Sequence, residues 1–184
     1  MQNWSDFAAK DRPFLWTSED TNNAILSTLI PGAAAVAGFA AFAKDQEFVD
    51  WWTLFVKKPK WAPRDLFFYS AVDVLTLSPL GYASYLVYKY GGGFENTDTR
   101  VALGMYGANM LLALSAIPIV KSRDLSSLWK TSVLVHLTAL GATYTFYKIN
   151  NEAGLWMIPY AIWTGFYAYL TYTIGRENKV IKDM

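Results

Sequence analysis

Val101–Val120, VALGMYGANMLLALSAIPIV, runs for 20 residues without a Lys, Arg, Asp or Glu. About 20 helical residues cross a hydrocarbon core roughly 30 Å thick. A helix on the surface of a soluble protein shows a charged stripe along one face, and this stretch has none. Working outward, four further stretches read the same way: Thr21–Ala43, Leu66–Tyr88 with Asp73 as its one interruption, Thr131–Tyr147 and Ala153–Gly175. Aromatic residues gather near their ends, as in Phe67-Phe68-Tyr69, Tyr88, Trp129, Tyr147 and Tyr172. Amphipathic rings favour the headgroup depth of a bilayer. The expected fold is all-α, an integral membrane bundle of five transmembrane helices at about 21–43, 66–88, 101–120, 129–148 and 153–175. The fourth is short and needs Trp129 with Lys130, or Lys148, at the interface. A polar tail over 1–20, a first loop over 44–65, a membrane domain spanning 21–178 and a carboxyl tail over 179–184 complete the expected organisation.

Composition narrows the function. A chain of 184 residues suits one compact unit. Sixteen basic residues against 15 acidic ones leave no cationic surplus to replace phosphate counterions, so no nucleic-acid partner is expected. The absence of Cys removes disulfides, thiolate catalysis and cysteine-ligated zinc. With a single His, and with no nucleophile–base pair or phosphate loop, no catalytic residue, metal or cofactor is expected. The first twenty residues carry Asp6, Asp11, Glu19 and Asp20 against Lys10 and Arg12, unlike a secretory signal or a transit peptide. The spans themselves are expected to direct insertion. Eleven of the 16 basic residues fall in the first loop, the third loop and the carboxyl tail. That bias predicts a cytosolic first loop and carboxyl terminus.

Phe48, Trp51, Trp52, Phe55 and Val56 recur at the spacing of one apolar helical face. Pro59 and Pro63 then forbid helix through Lys57–Arg64. The first loop is therefore a short amphipathic helix and a rigid aromatic hairpin, placed either on the membrane surface or over the bundle mouth as a lid. In the fifth span Trp156, Tyr160, Trp163 and Tyr167 form a single stripe, which reads either as ordinary packing or as the wall of a pocket for a flat apolar ligand. Asp73 is the most unusual residue for its place. A carboxylate in hydrocarbon costs at least a few kcal/mol and must face the interior, take a proton or pair. His136 is a candidate partner; Ser70 or backbone in a wet crevice is the alternative. Four-residue spacings of small residues, such as Ala33, Ala37 and Ala41 or Gly104 and Ala108, suit close helix contacts within a bundle or across a dimer.

Over about 31–178 the sequence resembles the translocator protein / tryptophan-rich sensory protein family, once called peripheral-type benzodiazepine receptors. The resemblance rests on Trp51-Trp52 followed by Lys58-Pro59-Lys60-Trp61-Ala62-Pro63, on Gly81-Tyr82-Ala83-Ser84-Tyr85 with Gly92-Gly93-Phe94, on Leu103-Gly104-Met105-Tyr106, and on Pro159-Tyr160-Ala161-Ile162-Trp163 with Leu170-Thr171-Tyr172. Departures stand at Arg64 in place of a second Pro, at Asp73 and Leu77 in place of Trp and Tyr, and at Asn109, Ala113, Leu114 and Ala116, where the family places Gln, Asn and two Trp. Tyr167 replaces a small residue and Thr171 an Asn. The resemblance implies a ligand site at Trp61, Trp163 and Tyr160, with Asn109 and Asp73 at matching positions, and a sterol element at Leu170, Tyr172 and Arg176. It implies cholesterol or a porphyrin-like tetrapyrrole as ligand, bound and then moved or sequestered. It also implies a homodimer and, in a eukaryote, the mitochondrial outer membrane. Two rival readings are porphyrin breakdown with Trp61 and Trp163 as redox-active rings, and an interaction scaffold whose pocket has decayed. The sterol pattern alone is weak, since Leu80-Tyr85-Lys89 and Leu140-Tyr144-Lys148 satisfy it too.

Overall fold

The computed structural model describes residues 15–182, with side chains through residue 178. The acidic and basic residues at positions 6–12 and the last residues of the carboxyl tail lie outside that range. Among the described residues all regular structure is helical: α1 Ser18–Ala43, α2 Gln46–Asp50, α3 Leu66–Tyr90, α4 Thr97–Lys121, α5 Leu125–Ile149 and α6 Asn151–Lys182. Three of them, α1, α3 and α4, are long and apolar enough to cross a membrane by length and composition. The expected count of five spans is not matched: the described residues form five long helices, but α5 and α6 fall short on composition. Both interleave Ser, Thr and Tyr with their aliphatic residues, and those polar groups turn back onto the helix. Thr138, Thr143, Thr145, Thr171 and Thr173 each donate to a carbonyl one turn earlier.

Local chemistry sets where the helices begin. Thr17 opens α1 with a reciprocal capping box: its hydroxyl accepts from the Asp20 amide at 3.2 Å, and the Asp20 carboxylate accepts from the Thr17 amide at 2.6 Å. Asp65, Asn96 and Asp124 cap α3, α4 and α5 in one way, each side-chain oxygen accepting from an amide of the first turn. Asn150 serves two helices at once. Its amide closes α5 on the Phe146 carbonyl at 2.8 Å, and its side-chain oxygen accepts from the Ala153 amide at 2.9 Å to start α6. A one-residue link is therefore enough to reverse the chain. Gly154 permits the tight return, because a Cβ there would stand 2.6 Å from the Tyr147 Cα.

α1 packs on α3, α3 on α6, α6 on α5 and α5 on α4, while α4 closes on α1 only glancingly. Antiparallel α1 and α3 cross at Gly81, whose missing side chain leaves room for Ser27 and Thr28; a Cβ would lie 2.6 Å from the Thr28 Cα. The start of α1 is pinned to the end of α3 by the Lys89–Asp20 ion pair, by Tyr85 donating to Asp20, and by Trp16 against the Tyr82 and Tyr85 rings. One half of the bundle is densely packed around Leu80, Leu86, Val87, Phe146 and Met157, all at 1% exposure or less. The other half, toward the first loop, is not filled. Outward faces are aliphatic on every long helix: Ile30 is 72% exposed, Leu75 72%, Leu111 70%, Leu137 57% and Ile162 70%.

Candidate functional site

The unfilled half holds a cavity of about 510 Å³ walled by residues of all five long helices and of the first loop. Its walls are apolar, with Phe39 and Phe42 from α1, Met110 and Ile117 from α4, and Leu128 and Val135 from α5. Each is supplied by a helix whose other face points outward, so the cavity stands at the bundle axis. α1 and α4 both line it while making few contacts with each other.

The first loop closes one end. α2 continues into a π-helical turn over Trp51–Phe55, where the Val56 amide bonds the Trp51 carbonyl at 3.0 Å. This wider turn changes the register. Phe48, Trp52 and Val56 stay buried on the bundle, whereas Phe55, expected on the same face, is 73% exposed. Phe48 and Trp52 contribute to the cavity wall. Two devices hold the loop down. Asn178 of α6 clasps the Lys57 backbone on both sides, its Oδ1 accepting from the amide at 3.1 Å and its Nδ2 donating to the carbonyl at 3.0 Å. Lys58 sits over the Trp52 ring at 4.5 Å and donates to the Trp52 carbonyl. Burial, helped by nearby Arg64, pulls the Lys58 ammonium down to about 8.

Asp73 of α3 faces the cavity and is the acidic residue in its wall. Its partners are neither His136 nor Ser70. Trp163 Nε1 donates to Oδ1 at 2.7 Å and the Tyr167 hydroxyl donates to Oδ2 at 3.1 Å. These two α6 residues are one turn apart, so the carboxylate bridges α3 to α6. His136 is engaged elsewhere, with Nδ1 3.1 Å from the Thr164 hydroxyl. Sequence reading placed Tyr167 in the aromatic stripe and as the replacement of a small residue, but missed its role as a donor to Asp73. The signal was present: Asp73 needs donors, and Trp163 and Tyr167 lie at the i, i+4 spacing that delivers two of them to one place.

The expected aromatic stripe on α6 divides. Tyr160, Trp163 and Tyr167 reach the cavity, with Phe166 stacked on Trp163 at 4.7 Å, while Trp156 turns outward against Tyr82. Asn109 is fully buried behind Tyr160. Its Oδ1 accepts from the Tyr160 hydroxyl at 2.8 Å, and its Nδ2 donates to the Val135 carbonyl and the Thr138 hydroxyl, both at 2.8 Å. It orients the wall without being part of it.

Trp61 is not among the cavity residues. It is 46% exposed and lies flat on Tyr169 at 5.3 Å, on the far side of Phe166 from Trp163. Pro59 and Pro63 stiffen the hairpin, and its indole finds the outer face of α6 before it reaches the bundle axis. The sterol element also splits by helical geometry. Leu170 is fully buried at the cavity, whereas Tyr172 and Arg176 stand exposed on the opposite face, Tyr172 against Trp129 at 5.6 Å. Trp52 carries the one buried side-chain polar atom left without a partner among the described residues, its Nε1.

Known proteins bear on this geometry. The chain is 30% identical over 128 residues to the translocator protein of Homo sapiens, an overlap that covers 69% of this chain and 75% of the relative. It is 26% identical over 166 residues to the tryptophan-rich protein TspO of Chlorobaculum tepidum, covering 85% and 99%. It is 31% identical over 109 residues to the translocator protein 2 of Mus musculus, covering 58% and 67%. The profile of the TspO/MBR family matches residues 27–176, which takes in every helix that walls the cavity. On that match this chain belongs to the TspO/MBR family.

Proposed function

We propose that this chain is an integral membrane protein of five spans that binds a hydrophobic ligand in the bundle cavity and moves or sequesters it. One observation carries the reading: an apolar chamber of about 510 Å³ to which all five long helices contribute. That volume lies within the range of small-molecule sites. Seven of the nine positions at which the sequence departs from the family pattern support it, Arg64 and Asn109 being the exceptions. Asp73, Leu77, Ala113, Leu114, Ala116, Tyr167 and Thr171 all line the chamber. Small residues on α4 where large rings are usual leave the space open. The sparse contact between α1 and α4 suits entry by a ligand that partitions into the bilayer first. Cholesterol and porphyrin-like tetrapyrroles are the ligand classes that the family resemblance implies; a homodimer, a cytosolic first loop and carboxyl terminus and, in a eukaryote, the mitochondrial outer membrane follow from the same readings. Porphyrin breakdown by Trp61 and Trp163 gains no support, since Trp61 lies outside the chamber.

Quenching of tryptophan fluorescence by protoporphyrin in detergent, with cholesterol as competitor, tests the proposal. Saturable quenching is expected, and Ala113→Trp, which fills the chamber, is expected to weaken it at least tenfold. Equal affinity in the filled variant would refute binding at this place.

A further inference from the structure

We infer that the cavity selects an apolar ligand bearing a protonated amine, which Asp73 receives, over neutral or carboxylate-bearing molecules of the same shape. The inference rests on the binding reading above and adds the chemistry of the ligand's polar end.

An ionised carboxylate offers about four acceptor positions. Trp163 and Tyr167 each occupy one, at 2.7 and 3.1 Å. Both donors are neutral, so they solvate the group without balancing its charge. No Lys, Arg or His is among the residues that line the cavity, and among the described residues Asp73 takes part in no ion pair. Ser132 donates to the Leu128 carbonyl and Tyr69 to the Pro63 carbonyl, so neither competes for it. Thr164 and Thr171 are spent on carbonyls of their own helix, at 2.9 and 2.8 Å. What remains is a carboxylate with free lone pairs at the wall of a greasy chamber. A charge so placed is costly unless a proton or an opposite charge meets it. A cation carried in by the ligand supplies that charge, and the rings of Tyr160, Trp163 and Tyr167 around it favour an ammonium at their faces. A ligand carboxylate would meet like charge at the same spot, so a porphyrin would enter with its propionates turned away from Asp73.

The full chain in detergent can be titrated by equilibrium dialysis with three naphthalenes that share a shape and carry a dimethylaminoethyl, a 3-methylbutyl or a carboxyethyl arm. Comparing Asp73→Asn with the native chain in the same detergent cancels partitioning into micelles. The amine is expected to bind at least tenfold tighter than the 3-methylbutyl compound, the carboxylate to bind weakest, and the amine's advantage to fall below threefold in Asp73→Asn. An advantage that survives in Asp73→Asn, with the neutral compound still bound, overturns the selection by Asp73 while leaving the cavity reading intact. Saturable binding by none of the three overturns both. Tyr167→Phe keeps the carboxylate but removes one of its donors, so the amine's advantage is expected to rise. If Asp73→Asn does not fold, a ratio that stays or falls in Tyr167→Phe overturns the proposal.

Discussion

Asn109 shows how much one buried side chain can organise. Its amide is satisfied on both ends, by Tyr160 from α6 and by Val135 and Thr138 from α5. Tyr160→Phe leaves the Asn109 oxygen buried with no donor and is expected to cost about 1–2 kcal/mol, the usual penalty for an orphaned buried acceptor, reduced where the unfolded chain still lies in lipid. Thermal unfolding in detergent reads this directly, and a variant as stable as the native chain contradicts the role given to Asn109. Lys58 offers a second test, through pH. Its folded value of about 8 lies below the ordinary lysine value near 10.4, so the unfolded chain binds more protons between those limits. Stability conferred by this residue is therefore expected to rise as pH increases from about 8 to about 10, and Lys58→Met is expected to flatten that rise. Melting temperatures across that interval, native against variant, settle the sign.

Single contacts decide how whole elements sit. α1 and α3 come together because position 81 has no side chain, and a Cβ there would strike the backbone of Ser27 and Thr28. Gly81→Val is expected to lower stability by about 3 kcal/mol or more, beyond the ordinary cost of overpacking, because the obstacle is backbone and cannot rotate away. Gel filtration and unfolding in detergent would show it; a native-like profile would mean that the two helices do not cross there. The first loop depends on a lighter device, the Asn178 clasp on the Lys57 backbone. Asn178→Ala is expected to leave the melting temperature within a few degrees of native while trypsin cuts after Lys57 or Lys60 several-fold faster. An unchanged cleavage rate would show that the packing of Phe48, Trp52 and Val56 alone holds the loop.

At the scale of the whole molecule the question is how many helices cross. α1, α3 and α4 qualify by composition, and the exposed aliphatic residues Leu137 and Ile162 argue that α5 and α6 also face lipid. The chain contains no Cys, so one introduced thiol reports its own location without background. Lys60→Cys in the first loop and Asn151→Cys at the α5–α6 link are expected to react with impermeant maleimide from opposite faces of a sealed vesicle. Labelling from the same face would mean that α5 and α6 do not cross. The split of the bundle into a packed half and a hollow half also has a thermal consequence. A ligand at 100 times its Kd is expected to add about 2.7 kcal/mol to stability, with a matching rise in melting temperature.

By itself the sequence determined the helical class and the stretches without charge, because these depend on local composition and on spacing along one helix. Family resemblance was legible too, carried by short motifs with strict spacing. Of the candidate site, Trp163 and Tyr160 were readable as one stripe, and Asp73 as a charge in need of partners. Only the tertiary structure decided which partners it found, since Trp163 and Tyr167 lie 90 and 94 residues away along the chain. It likewise decided that Trp61 would rest outside the chamber and that Phe55 would leave its expected face. A hairpin's reach and a π-turn's change of register depend on what they meet in space, which no periodicity along the chain records.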